Sequence, residues 1–131
     1  MPQYSVKTYP VRWSSQIEAS ALSSCHIGIA PLIDDPWTRG KCGFKILQYM
    51  AAGLPVIGSH VGVHPQIICH EVTGFLVEDE PQWIQAIDRL AADASLRQQM
   101  GQAGRSHLIE NYSVGKTARR MIEMLNMGLV M

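Results

Sequence analysis

The sequence predicts a doubly wound α/β fold with a small parallel sheet of about four strands, and three features predict it. Short apolar runs, Ile27 to Leu32, Leu54 to Gly58 and Phe75 to Val77, have the continuous hydrophobicity of strands covered on both faces. Between them the apolar residues recur at three and four, the mark of helices with one buried side. In the centre, Arg39 to Val61 (RGKCGFKILQYMAAGLPVIGSHV) reads as loop, helix, tight turn and buried strand in unbroken succession. Strands alternating with helices give a parallel sheet joined by right-handed crossovers.

Along the chain, Tyr4 to Trp13 alternates loosely and contains strand formers, with Pro10 making its end an edge or a loop. Ser14 or Ser15 opens a helix to residue 24, Glu18 completing a capping box with Ser15 and Ile17, Ala21 and Leu22 forming its apolar stripe. The apolar run that follows is stopped by Pro31 and leads into a polar loop, Ile33 to Gly40, with Asp34, Asp35 and Trp37. Loops leaving the carboxyl ends of parallel strands are where open α/β sheets bind ligands.

The central helix starts at Gly43, carries Phe44, Ile46, Leu47, Met50 and Ala51 on its apolar side, and stops at Gly53 and Pro55. After the strand at 54–58, the segment Ser59 to Pro65 with His60 and His64 reaches the same rim. A helical turn from Pro65 to Cys69 and a turn at Thr73 and Gly74 precede the strand Phe75 to Val77. Acidic Glu78 to Glu80 followed by Pro81 start a helix that runs through Trp83, Ile84, Ile87 and Leu90 to about Asp93. Two more follow, Ser95 to about Asn111 and one from Ser113 that frays at Gly128. The apolar tail Met121 to Met131 exceeds what a terminal helix needs, so the chain reads as one lobe of something larger, with self-association of the isolated domain a consequence to expect.

The residues ahead of the central helix, Arg39, Gly40, Lys41, Gly43, Phe44 and Lys45, combine small residues with cations beside a helix N-terminus. Small residues let an anion approach backbone N–H groups, and the helix dipole favours negative charge there, which is the recipe for a phosphate cradle. The same spacing also fits an ordinary Gly-rich turn with two solvated lysines. Eleven basic and eleven acidic residues give no net field toward nucleic acid or an anionic membrane, so any anion site is local.

Three widely spaced cysteines, Cys25, Cys42 and Cys69, contain no Cys-x-x-Cys pair, against a disulfide framework or a zinc knuckle and in favour of a reduced, cytoplasmic setting. No apolar run approaches the ~20 residues that span a bilayer, which leaves peripheral membrane contact open. His60 and His64 lack a carboxylate or thiol to complete a metal set and read as polar rim residues. Cys42 has no histidine base near it in sequence to make it a nucleophile.

Taken together, IGIAPL, RGKCGFKILQYMAAGLPVIGSHVG, EVTGFLVED, the Trp83 helix, LRQQMGQAGR and NYS resemble the C-terminal, donor-binding domain of the group 1 glycosyltransferases, retaining enzymes of the GT-B architecture. The resemblance covers about residues 12–125. It implies a Rossmann-like lobe that binds a nucleotide-sugar, which is a donor substrate and no cofactor, and a second, N-terminal domain that holds the acceptor. Residues 1–131 are then a fragment of a longer two-domain enzyme, not expected to turn over alone. The family's signature is two glutamates bracketing seven residues, and here the second aligns with Gln48 and the first with Gly40. The family's second glutamate contacts ribose hydroxyls and its first lies near the donor sugar. Gln48 keeps hydrogen-bonding capacity without charge, and Gly40 keeps none. A divergent transferase in which Lys41 and Lys45 take more of the diphosphate, and a non-catalytic nucleotide-binding or interaction module, both follow from that departure.

Overall fold

The computed structural model describes residues 6–129. Helix α1 (Glu18–Ser23) leads to β1 (Gly28–Ala30), α2 (Pro36–Arg39), α3 (Phe44–Ala51), β2 (Val56–Ser59), α4 (His64–Ile67) and β3 (Gly74–Val77). Three helices close the chain: α5 (Glu80–Ala92), α6 (Ala94–Tyr112) and α7 (Val114–Leu129). The strands form one sheet in the order β1-β2-β3, both pairings parallel, with Ile29 opposite Ile57 and Ile57 opposite Phe75.

Successive residues of a strand face opposite ways, and this sheet has an apolar core on each side. Ala30 and Val56 point to one face, where α3 contributes Ile46 and Met50 and the stretch after α4 contributes Ile68. Ile57, Phe75 and Val77 point to the other, covered by Ala86 and Leu90 of α5 and Met100 of α6. Every residue of β2 is buried, as the continuous apolar run requires of the central strand. Helix α5 is opened by Asp79, whose carboxylate accepts from the Gln82 N–H, with Pro81 in its first turn; Asp93 caps α6 in the same way through Leu96.

Two local expectations change. The sheet has three strands among the described residues, not four: residues 6–13 are exposed and irregular, while Tyr4 and Ser5 lie outside the described residues. A strand forms only where a neighbour takes its ladder bonds. No backbone group of residues 6–13 is hydrogen-bonded to the sheet, and Pro10 has no N–H to offer. Nor does Glu18 close a capping box with Ser15. The first turn of α1 is closed instead by the Ser14 carbonyl, which accepts from the Ile17 and Glu18 N–H groups at 3.2 and 3.1 Å, and the Glu18 carboxylate turns elsewhere.

Candidate functional site

The cleft of interest opens at the carboxyl end of β1, between the loop leaving that strand and the start of α3. Its volume is about 780 Å³, and it is lined by Gly40, Lys41, Gly43, Phe44, Lys45 and Gln48, with Ile29 to Leu32 and His64 opposite. Six of the seven residues singled out in the sequence therefore share one cavity. Arg39 does not line it: its Nε donates to Asp34 Oδ1 at 2.6 Å, on the outer side of the loop. That guanidinium holds the Asp34 carboxyl below its ordinary value, chiefly through the hydrogen bond.

The loop is more ordered than its composition suggested. Asp35, Pro36 and Thr38 build the short helix α2, with Thr38 N–H donating to Asp35 Oδ1 at 2.8 Å and Asp35 N–H to Thr38 Oγ1 at 3.2 Å. An acceptor followed by Pro at the first helical position is a start signal that the reading of 33–40 as plain loop passed over. Thr38 Oγ1 also donates to the Ile33 carbonyl, and Leu32 N–H donates to Ser59 Oγ at 2.8 Å, tying the loop after β1 to the end of β2. The cleft wall is thereby fixed at both ends.

At the start of α3, Gly43 is the N-cap with φ of 71°, a left-handed conformation, and a Cβ there would lie 2.5 Å from Ile67 Cδ1. No side chain caps this end, and the N–H groups of Cys42, Gly43, Phe44 and Lys45 have no hydrogen-bond partner among the described residues. Four consecutive unpaired donors, at the positive end of a helix dipole with Lys41 and Lys45 beside them, give the cleft one electropositive corner. One turn further along α3, Gln48 sits between this cleft and a second depression that is lined by Glu18 and Arg105. The Gln48 Nε2 donates to Glu18 Oε1, and Glu18 Oε2 accepts from Trp13 Nε1 at 2.7 Å. Sequence spacing could not show that contact, since thirty positions separate its partners.

His64 also departs from expectation. It is 3 % exposed and not a rim residue, because α4 carries its ring inward, where Nδ1 donates to the Ser59 carbonyl at 2.9 Å. Burial pushes its pKa below the ordinary imidazole value. His60 stays on the rim, exposed and 3.0 Å from Glu78 Oε1. Cys42 is exposed at the cleft, and all three cysteines are free. Trp37 is exposed on α2 and does not line the cleft, whereas Trp83 packs against the second core. Among the described residues no three His, Cys, Asp or Glu side chains come together as a metal site, and no helix is long and apolar enough to cross a membrane.

The lowered pKa of His64 gives a signed expectation. The folded chain binds that proton more weakly than the unfolded chain, so stability is full above the ordinary value of about 6.5 and is lost as pH falls below it. Carboxylates titrate lower, near pH 4, which leaves the interval from 7 to 5 to the histidines. Urea unfolding midpoints should fall across that interval in the wild-type chain and fall less in His64→Gln, whose amide can still donate to Ser59. Parallel slopes for the two proteins would refute this.

Comparison with known proteins places the chain in a family. Residues 7–93 match the family model described as glycosyl transferases group 1. A D-inositol 3-phosphate glycosyltransferase from Salinispora arenicola is 30% identical over 97 residues, 72% of this chain and 21% of that protein. A sucrose-phosphate synthase structure from Thermosynechococcus elongatus superposes with a TM-score of 0.80 at 25% identity, covering 94% of this chain and 30% of that one. An Anabaena protein solved in complex with UDP and glucose has the same fold, with a TM-score of 0.71 at 17% identity, covering 81% of this chain and 28% of that one. The chain thus spans a third or less of the length of each of these relatives. It belongs to the group 1 glycosyltransferases, and its parallel sheet with helices on both faces is the Rossmann-like fold of their GT-B architecture.

Proposed function

We propose that this chain is the donor-binding half of a glycosyltransferase, which transfers a sugar from a nucleotide-sugar to an acceptor held by an N-terminal domain outside this sequence. The observation that carries the reading is the electropositive corner of the cleft, where unpaired amides 42–45 meet Lys41 and Lys45. When a nucleotide-sugar breaks, negative charge accumulates on the departing diphosphate, and fixed donors and cations aimed at that position lower the barrier. Lys45 faces the diphosphate and Gln48, one turn on, faces the ribose hydroxyls. The UDP bound by the Anabaena relative makes UDP the first ligand to try.

The absence of a side chain at Gly40 favours a second reading, a nucleotide-binding module without transfer activity, because the family's first glutamate has no counterpart there. Both readings require the diphosphate site; only the first requires turnover when an acceptor domain is supplied. Without that domain the isolated chain is inactive, and the exposed apolar side of α7, with Met121, Ile122 and Leu125, promotes its self-association.

Titration calorimetry of the 131-residue chain with UDP and uridine, and with the ADP and GDP pairs, tests the shared premise. Charge-assisted hydrogen bonds to phosphate predict at least about tenfold tighter binding of one diphosphate than of its nucleoside. Equal affinities within every pair would remove the diphosphate site and both readings with it.

A further inference from the structure

We infer that Glu18 is a positioning residue for the sugar-binding side of the cleft: it fixes the carboxamide of Gln48 so that the amide oxygen, and not the NH2 group, faces the ligand. The inference rests on the donor-site reading above and adds to it a residue from outside the cleft.

A glutamine side chain carries two N–H donors at one end and one oxygen acceptor at the other, and a half-turn of its last torsion exchanges them. An ionised carboxylate can only accept, so the contact between Gln48 and Glu18 allows one orientation, Nε2 toward Glu18. Gln48 Oε1 is left with no partner among the described residues, on a side chain that lines the cleft. Glu18 is itself held, half-buried at the start of α1, by the Trp13 indole N–H on its other oxygen. Trp13, Glu18 and Gln48 thus form a chain of donors and acceptors with one open acceptor, Gln48 Oε1, beside the second hydrogen of Nε2.

Sugars adjoining a diphosphate present hydroxyls, which donate to an amide oxygen as they would to a carboxylate. A glutamate at position 48 would set two negative groups within hydrogen-bond distance, each disfavouring the ionisation of the other. Glutamine at 48 and glutamate at 18 are therefore a matched pair: the charge sits one residue back from the ligand, and the group that meets it keeps its acceptor.

The test compares each diphosphate of the panel with its 2′,3′-dideoxy analogue by calorimetry. The ratio of their dissociation constants reports the ribose hydroxyls alone, since loss of overall structure weakens both ligands equally. Hydrogen-bond energies predict a ratio of about 10 in the wild-type chain, falling to about 2 in Glu18→Ala with the dideoxy affinity unchanged. Glu18→Gln alone should also lower the ratio, because its single amide oxygen goes to the Trp13 indole N–H and its NH2 group then meets Gln48, turning that carboxamide round. Gln48→Glu alone should lower the ratio, and adding Glu18→Gln should restore it, because the reversed pair again has one carboxylate and one carboxamide. This exchange remains decisive if Glu18→Ala does not fold.

An unchanged ratio in Glu18→Ala, an equal loss for both ligands, or a double exchange that restores nothing would each overturn the positioning role while leaving the diphosphate site standing. Failure of the wild-type chain to bind any diphosphate would instead overturn the donor-site reading, and the positioning role with it.

Discussion

Gly101→Ala is expected to destabilise the fold by roughly 3 kcal/mol, the upper end of what overpacking costs, although it exchanges glycine for a better helix former. A Cβ on Gly101 would lie 1.9 Å from the Gly53 carbonyl oxygen and 2.8 Å from its carbon. Both are backbone atoms, so no rotamer change can relieve the clash. Nor can the turn retreat easily: Gly53 N–H donates to Met50 O and Leu54 N–H to Tyr49 O, both at 3.0 Å, and Leu54 leads directly into the central strand. Helix α6 would have to lift off α3, against which it packs closely enough that a Cβ added at Gly104 would lie 3.4 Å from Met50 Cγ. Urea unfolding of the variant beside Gly115→Ala provides the measurement. Gly115 is also helical but has no atom within 4 Å of its added carbon, so that change should be neutral or slightly stabilising. Similar midpoints for the two variants would mean that α6 does not pack where it is described.

The largest functional effect is expected at Lys45. Removing its charge with Lys45→Met should weaken diphosphate binding by about 2 kcal/mol, roughly thirtyfold, since hydrogen bonds to charged groups contribute about 1.5–3 kcal/mol. The loss from Gln48→Ala should be smaller by on the order of 1 kcal/mol, because that contact is between neutral groups. Lys45 is exposed, so its attraction to phosphate should shrink as ionic strength rises, and nucleoside affinity should not change at all. Calorimetry at two salt concentrations separates this from a lysine that merely faces solvent. A salt-independent loss, or a larger one at Gln48, would reassign the two residues.

Much of this was legible because it is local. The strand runs at 28–30, 56–59 and 74–77, the helix from Phe44 and the acid-plus-proline start of α5 each carry their signal within a few residues. The cleft was legible for the same reason: residues 40 to 48 are consecutive, and a loop running into a helix brings such residues to one rim. What escaped was set by distant partners. Glu18 has the spacing of a cap, and only the packing of α1 beside α3 shows that its carboxylate serves Gln48. His64 follows a loop and is polar, yet the inward turn of α4 buries it under the end of β2. Arg39 belongs by sequence to the basic group before α3, but Asp34, five residues earlier, draws it outward. The segment before Trp13 has strand composition and no neighbour to pair with.

Helix α7 rests mainly on α6 and buries none of its described side chains. A helix of 16 residues has little stability of its own in water, so its backbone bonds persist only as far as that single contact holds them. Amide hydrogens of residues 114–128 should therefore exchange with solvent through local opening, at a free energy far below that of global unfolding. Those of β2, with a strand on either side and a core above and below, wait for the whole domain to open. The chain is in this sense two cooperative units of very unequal strength, and a ligand seated against α3 raises the protection of the stronger one while leaving the terminal helix to fray at its own rate.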